Sequence, residues 1–326
     1  MKSAFATLAM LMLSGCNRSG EPGLRPGPAV PQAPAAASSV PAVEASAVPS
    51  SAAPSARAPD LPDGATACGE LGCLQFDTAE AAFGFAIASK PRVLAIGEAH
   101  AQKGKEGVAS SAKRFTDTLL PLLKGKASDL VLELMMPNDK CKRKTEEVRE
   151  KQKVVTSQQR ESNQNEYVQM GERARALGIV PDLLRPSCED LAAIDQAGAE
   201  MVPTFLSTIA RLTAAQVRKL LDRDARTPAD ADKMVVTYGG ILHNDLEPTP
   251  DKAAWSFGPA LWSKVGGRYV AVDLFVPEYI EDTDTWRQLP WYSHYDRARM
   301  GGKTTMFRLR PGSFVIIFPL TASESR

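Results

Sequence analysis

Residues 92–100 read RVLAIGEAH, and this stretch decides the fold class of the chain. Its apolar run up to Ile96 is short and is stopped by Gly97, which is typical of a strand buried on both faces. A similar stretch returns at 234–243, where MVVTY is followed by two glycines and then by ILH. Strands of this kind occur in parallel sheets that are covered by helices, so the pair predicts an α/β fold.

Further strands and helices alternate along the chain around these two stretches. Four more strands are predicted at residues 130–132, 179–184, 269–275 and 313–318. Helices are predicted at residues 77–90 and 111–123, around 167–177, and twice between 190 and 225, with a break near Pro203 and a restart at Thr213. This alternation predicts a mostly parallel central sheet with helices on both faces.

Two segments depart from the alternation. Residues 138–162 are rich in Lys, Arg, Glu and Gln, which predicts a solvated helical insertion after the second strand of this series. Residues 276–308 combine a high density of aromatic side chains with no clear periodicity. They are predicted to form a long loop before the last strand, and loops of this length are usually functional or disordered.

The N-terminus has the pattern of a bacterial lipoprotein signal. A positively charged start and the apolar residues 4–13 precede LSGC at 13–16, which resembles the lipobox. The apolar run is too short to cross a bilayer, which takes about 20 residues of helix. We therefore predict a signal peptide at residues 1–15 and lipidation of Cys16; the alternative is an ordinary cleaved secretory signal. Asn17 after the cysteine favours anchoring in the outer membrane.

The segment 16–66 differs in composition from the rest of the chain. It contains ten of the 24 prolines and no aromatic residue. Such a segment buries too little apolar surface to fold, so it is predicted to be a disordered linker ahead of an α/β domain at 67–326. The formal net charge of the whole chain is +1. This balance excludes a strongly basic protein that binds nucleic acid.

Four cysteines remain once Cys16 is assigned to lipidation. An exported protein meets an oxidising compartment, where disulfides form. Cys68 and Cys73 are near enough in sequence to close a small loop, and Cys141 would then pair with Cys188. Free buried thiols are the alternative, because spacing alone does not decide connectivity.

Polar residues gather where the predicted strands end. The candidates are Glu98, His100, Glu133 and His243. Ligands of open α/β sheets bind beyond the carboxyl ends of the strands, so these side chains are expected to share one site. Two of the three histidines of the chain follow the same pattern of strand, glycine, two residues and His. The glycines are expected to turn the chain off the strand through positive φ values.

The sequences GEAH at 97–100 and GILH at 240–243 resemble the paired G-x-x-H motifs of one superfamily. Its branches are the ChaN-like haem-binding lipoproteins, the Tiki (TraB) metalloproteases and the erythromycin esterases. Glu133 also matches the pattern of this superfamily, and the lipobox favours the ChaN-like branch. The motif of the erythromycin esterases resembles GE-x-x-H, with two residues between Glu and His. This chain has a single residue between Glu98 and His100 and so departs from that motif.

Two carboxylates and two imidazoles can perform hydrolysis in two ways. The set Glu98, His100, Glu133 and His243 is of the type that holds Mn, Co or Zn with one open position for water. Without a metal, His100 would be a general base on water, with Glu98 or Glu133 orienting its ring. The reaction predicted in either case is cleavage of an amide or ester bond. The alternative is a hydrogen-bond network that only caps the strand ends.

Other side chains are candidates for binding roles. Contacts to substrate or to an oxyanion are expected from Arg185, Asn244 and Asp245, and from Tyr238. The aromatic loop suggests a flat apolar ligand such as haem, with candidate cofactor ligands Tyr238, His294 and Tyr295. The alternative is that the aromatic residues only pack the loop onto the domain.

These observations predict an exported, lipid-anchored hydrolase of an acyl bond. Its partners would be the membrane, through Cys16, and a small-molecule, peptide or haem ligand. One alternative is a haem- or metal-binding lipoprotein related to iron uptake, without catalysis. A second alternative is a structural surface lipoprotein.

Overall fold

The computed structural model describes residues 61–321, with only the backbone described at residues 154 and 155. The predicted signal peptide, Cys16 and the linker up to residue 60 lie outside the described residues. Within the described residues, no helix is both long enough and apolar enough to cross a membrane.

A nine-stranded, mostly parallel sheet organises the described part of the chain. Its strands are β1 Ala65–Ala67, β2 Leu74–Phe76, β3 Val93–Glu98, β4 Ala127–Met135, β5 Val180–Leu184, β6 Met234–Gly240, β7 Tyr269–Phe275, β8 Thr304–Arg310 and β9 Ser313–Ile317. The spatial order is β1-β2-β8-β9-β7-β3-β6-β4-β5. The strands from β9 to β5 in this order pair in parallel, and β8, β2 and β1 extend the sheet in antiparallel fashion. The prediction of an α/β fold with a mostly parallel sheet is confirmed.

Helices connect most of these strands. They are α1 Ala79–Ala86, α2 Ser111–Arg114, α3 Lys142–Val155, α4 Asn163–Ala176, α5 Cys188–Gln196, α6 Met201–Asp224, α7 Gly258–Lys264, α8 Asp284–Arg287 and α9 Arg297–Met300. Helix α2 continues through a π-helical turn, Phe115–Leu119, and a 3-10 turn, Leu120–Leu123. The start of α1 is capped by Thr78, whose hydroxyl accepts from the backbone N–H of Ala81.

The alternating side chains of β3 enter two separate hydrophobic clusters. Leu94 and Ile96 belong to the cluster that contains residues of α1 and α4. Val93 and Ala95 belong to the cluster that contains residues of α6 and α7. Because successive side chains of a strand point to opposite faces, helices cover both faces of the sheet at β3. The central strand is therefore buried on both sides, which explains its continuous apolar sequence.

The segment between β7 and β8 contributes a third cluster. Trp286 and Trp291 are 2% and 1% exposed. The Trp291 ring centroid lies 4.7 Å from that of Phe275, the last residue of β7. These aromatic side chains therefore stabilise the segment against the sheet. The predicted loop, residues 276–308, ends earlier than expected, because residues from Thr304 onward form β8. This strand is defined by its pairing with β2 and β9, which no local sequence pattern shows.

The prediction of two helices between residues 190 and 225 is confirmed, but the break lies at residues 197–200 and not at Pro203. Helix α6 runs without interruption from Met201 to Asp224, and Pro203 lies in its first turn. The first four backbone N–H groups of a helix have no intrahelical acceptor, so the missing N–H of proline costs nothing there. Thr213, the predicted restart, is a buried residue inside the same helix.

Candidate active site

A cleft of about 640 Å³ lies at the carboxyl ends of β3, β4 and β6. The four residues that the strand-end pattern singles out, Glu98, His100, Glu133 and His243, all line it. Glu98 is the last residue of β3, and Glu133 lies near the end of β4. The structure therefore brings together side chains that are far apart in the sequence.

Gly240 lies at the centre of this group. A point at the Cβ position of Gly240 would be 3.4 Å from His100 Nε2, 3.8 Å from Glu133 Oε2 and 3.9 Å from His243 Cδ2. Both imidazoles and one carboxylate thus surround a position that a glycine leaves empty. A larger side chain at residue 240 would occupy the space between the two rings.

His100 is oriented by a buried carboxylate. Its Nδ1 lies 3.0 Å from Glu98 Oε1, and the Glu98 residue is only 2% exposed. The Tyr167 hydroxyl donates to the same oxygen at 2.8 Å, and the Tyr238 hydroxyl donates to Glu98 Oε2 at 2.8 Å. We call these two phenols the tyrosine clamp. Both oxygens of the carboxylate therefore have partners, as a buried charge requires.

His243 is oriented by a backbone carbonyl. Its Nδ1 lies 2.7 Å from the oxygen of Trp255. A carbonyl only accepts, so Nδ1 carries a proton and donates it. The other ring nitrogen, Nε2, lies 3.6 Å from Glu133 Oε1, while Glu133 Oε2 accepts from the N–H of Gly240 at 2.7 Å.

The charges in the cleft shift the pKa values of three groups. Burial alone would lower the pKa of both imidazoles, but the carboxylates of Glu98 and Glu133 raise the pKa of His100, and Glu133 raises that of His243, above the ordinary value. Burial would raise the pKa of Glu133, but the two histidines and the Gly240 N–H lower it. Glu133 is therefore ionised at neutral pH, and both imidazoles stay protonated to a higher pH than free histidine.

The motif glycines are required by space and not by positive φ. The positive-φ residues of the described chain do not include Gly97, Gly239 or Gly240, so the expectation of a left-handed turn is wrong. A Cβ on Gly97 would lie 2.6 Å from Asp273 Oδ1 and 2.9 Å from Ile241 Cα. A Cβ on Gly239 would collide with the Glu133 carboxylate. The glycines thus permit the close approach of neighbouring strand ends.

The predicted substrate or oxyanion residues do not lie in the cleft as the structure describes it. Arg185 is exposed beyond the end of β5. Asn244 points away and donates from Nδ2 to Asp273 Oδ1 at 2.8 Å. The carboxylate of Asp245 accepts from the N–H of Glu247 at 2.9 Å within its own turn. These three side chains therefore stabilise the surroundings of the site or face solvent.

The predicted cofactor ligands are also outside the described lining of the cleft. The Tyr238 hydroxyl already donates a hydrogen bond to Glu98 Oε2. The His294 side chain is 30% exposed, and its Nδ1 lies 3.7 Å from Glu70 Oε2. Tyr295 packs against Trp291, with ring centroids 6.2 Å apart. The structure therefore does not group these three side chains around a position for haem.

The predicted Mn, Co or Zn site does not fit the geometry either. Among residues 61–321, no three His, Cys, Asp or Glu side chains are grouped as metal ligands. The four residues are arranged as two oriented imidazoles, each beside its own carboxylate.

The polar side of the cleft was not apparent from the sequence. It is formed by the end of α3 and the loop that follows, with Gln152, Lys153, Ser157, Gln158 and Gln159. The loop is joined to the chain just after His100, because Arg160 N–H donates to Ala101 O at 2.9 Å and Lys103 N–H donates to Gln158 O at 3.0 Å. Tyr167 on α4 completes this side; its only sequence signal was an apolar helical pattern.

The four cysteines of the described chain form two disulfides. Cys68 pairs with Cys73, with Cα atoms 5.1 Å apart, and Cys141 pairs with Cys188, with Cα atoms 5.8 Å apart. The second disulfide joins the residue before α3 to the first residue of α5. This disulfide therefore anchors the N-terminal end of α3, whose C-terminal end lines the cleft.

Comparisons of the chain with protein-family models, with curated proteins and with solved structures found no match.

Proposed function

We propose that the protein is a hydrolase that cleaves an amide or ester bond in the cleft between the ends of β3, β4 and β6. The observation that carries this proposal is the pair of oriented imidazoles. His100 and His243 both have Nδ1 bound to an acceptor of the protein, and both rings flank the open position at Gly240. Fixed imidazoles beside carboxylates are the groups that general acid–base catalysis needs.

His100 is the general base in this proposal. Its Nδ1 proton is donated to Glu98, so Nε2 keeps the lone pair that accepts a proton from water. The water oxygen bonds to the carbonyl carbon while its proton moves to His100 Nε2. The Glu98 carboxylate stabilises the imidazolium that forms, as the buried acid does in catalytic triads.

His243 supplies positive charge for the tetrahedral intermediate. In its protonated form, both ring nitrogens are donors, and Glu133 stabilises this form. A cationic ring beside the reacting carbonyl stabilises the oxyanion that develops. The intermediate collapses when the bond to the leaving nitrogen or oxygen breaks and His100 Nε2 returns its proton to the leaving group.

We further propose that this domain is exported and anchored to the cell envelope through lipidated Cys16, in the outer membrane, with the proline-rich segment ahead of β1 as a disordered linker; the predicted boundary at residue 66 is too late, because β1 begins at Ala65. The LSGC sequence at 13–16 and the proline-rich composition support this part. The resemblance of GEAH and GILH to paired G-x-x-H motifs supports the choice of site. In this proposal the helical insertion at residues 138–162 contains α3 and the loop that follows it, which supply the polar side of the cleft.

The test uses the purified full chain with p-nitrophenyl acetate and an N-acetylalanine p-nitroanilide as probes of ester and amide cleavage. The variants His100→Ala and His243→Ala should each lower kcat by at least about 100-fold, the scale of general acid–base catalysis. Treatment with EDTA should leave the rate unchanged, because the residues are not grouped as metal ligands.

The matched control is His294→Ala, the third histidine of the chain, which lies outside the described lining of the cleft. It should keep the rate of the parent protein. Parent-level hydrolysis by both His100→Ala and His243→Ala would exclude the proposed active site. A Soret band on adding haem, lost in His294→Ala, would instead favour the haem-binding alternative.

A further inference from the structure

We propose that Tyr167 and Tyr238 are positioning residues: they hold the Glu98 carboxylate in one orientation and thereby fix His100 in the tautomer that leaves Nε2 free. The kinetic part of this inference rests on the proposed function, whereas its structural part concerns the state of the His100 ring alone.

The first step is the hydrogen bonding of the Glu98 side chain. A phenol has one proton to donate, and a carboxylate is an acceptor only. Glu98 Oε1 lies 2.8 Å from the Tyr167 hydroxyl and 3.0 Å from His100 Nδ1, and Oε2 lies 2.8 Å from the Tyr238 hydroxyl. Three donors therefore converge on the two oxygens of a side chain that is 2% exposed, and both oxygens act as acceptors.

The second step is the tautomer of His100. A neutral imidazole has a single N–H, and the partner of one ring nitrogen decides which nitrogen carries it. Since the Glu98 carboxylate can only accept, Nδ1 of His100 must be the donor. Nε2 then has its lone pair on the side of the cleft, 3.4 Å from the Cβ position of Gly240. Loss of the hydrogen bond from Nδ1 to Glu98 would allow the proton to move to Nε2, where it blocks the lone pair of the base. In catalytic triads, the wrong tautomer lowers kcat severely.

The third step is the rigidity of the tyrosine clamp. Tyr238 on β6 is 1% exposed, and its ring centroid lies 4.9 Å from that of Phe115. Tyr167 on α4 is 4% exposed and meets Tyr238 edge-on, with centroids 5.3 Å apart. Both phenols are thus held by packing before they meet Glu98. Only Tyr167 also lines the described cleft, so the clamp joins the sheet to a helix beside the site.

The decisive measurement is the tautomer of His100, read by long-range ¹H–¹⁵N NMR on the full chain labelled at histidine. The chain has three histidines, so single substitutions assign every signal. At a pH where His100 is neutral, the parent protein should show Nδ1–H only. Tyr238→Phe leaves Oε2 without the hydroxyl that donates to it and should produce a mixture of tautomers. Tyr167→Phe should produce a smaller change, because Oε1 keeps His100 as a partner.

The matched control is Tyr292→Phe, which removes an exposed hydroxyl that donates to Asp282 at 2.9 Å. Its His100 signals should equal those of the parent. Unchanged His100 signals in both clamp variants would overturn the proposal. If Tyr238→Phe does not fold, as judged by circular dichroism, Tyr167→Phe alone decides: an altered His100 tautomer supports the clamp, and an unaltered one overturns it.

The kinetic readout uses p-nitrophenyl acetate. The clamp variants should lose about 10- to 100-fold in kcat, the usual cost of removing a group that orients a histidine, with little change in KM. A purely structural role would lower thermal stability and leave kcat of the folded protein unchanged, and that outcome would overturn the positioning role. If the parent protein hydrolyses neither probe, the proposed function fails, and the NMR result still decides whether the clamp sets the tautomer.

Discussion

Replacement of Gly97 by alanine tests how tightly the strand ends meet at the site. Gly97 pairs with Gly239 of β6 on one side and with Asp273 of β7 on the other. An added Cβ would lie 2.6 Å from Asp273 Oδ1, 2.8 Å from Asn244 Nδ2 and 2.9 Å from Ile241 Cα. The last of these contacts is with backbone, so no rotation of a side chain relieves it.

The magnitude follows from two opposing effects. Carbon atoms in ordinary contact are about 3.5 Å apart, so the backbone at Ile241 would have to move by about half an ångström. Overpacking of this kind costs about 1–3 kcal/mol. The lower entropy of the unfolded alanine chain returns about 0.4–1 kcal/mol. We therefore expect Gly97→Ala to lower the free energy of unfolding by about 1–2 kcal/mol. Each kcal/mol lost should lower the Tm by about 2–4 °C.

The assay is urea unfolding of the full chain, followed by far-UV circular dichroism with the disulfides intact. The control is Gly84→Ala in α1, where an added Cβ meets nothing within 4 Å. That variant should gain about 0.5–1 kcal/mol, because glycine inside a helix is unfavourable. Because Ile241 lies two residues before His243, Gly97→Ala should also slow hydrolysis. A Gly97→Ala protein as stable as the parent would refute the reasoning.

Two further predictions concern charged groups away from the cleft. Burial, with a smaller effect of the nearby Asp245, raises the pKa of Asp273 to about 7, although the hydrogen bond from Asn244 lowers it. Its contribution to stability is therefore full below pH about 3.8 and is lost as the pH rises to about 7, with a slope of at most about 1.4 kcal/mol per pH unit. Asp273→Asn should remove this slope from urea titrations between pH 4 and about 7; an unchanged slope would contradict the raised pKa. Arg223 pairs with Asp129 and Asp224, whose side chains are 0% exposed. Arg223→Met should cost about 3 kcal/mol by removing the positive charge beside two buried carboxylates, whereas Arg218→Met on the same helix should stay within about 0.5 kcal/mol; equal losses in the two variants would refute this role.

Much of the fold could be predicted because its central strands carry their own pattern. β3 is apolar from Val93 to Ile96, and β6 is apolar from Met234 to Val236, because both faces of these strands are covered. β8 could not be predicted in this way, since Arg308 is exposed and the strand is defined by pairing with β2 and β9. Pro203 led to the wrong position for the break because a proline is compatible both with the first turn of a helix and with a break between helices. The local sequence does not distinguish these two cases.

The candidate site, too, could be predicted from the sequence only in part. The meeting of His100 and His243 could be predicted, because parallel strands end at one edge of a sheet. The position of Arg185 could not, because β5 is the edge strand and its end lies away from the centre. The contribution of Tyr167 could not either, since it depends on how α4 packs across β4.

The sequence by itself determined the central strands, most of the helices that connect them, the glycine-bounded strand ends and the residues that carry acid–base chemistry. These properties depend on neighbours within a few positions, where periodicity and backbone preference act. Only the tertiary structure decided which carboxylate orients which imidazole, why a Cβ is excluded at Gly97, and which predicted ligands lie outside the cleft. Those outcomes depend on the order of strands in the sheet, and that order places side chains within hydrogen-bonding distance across more than a hundred residues of chain.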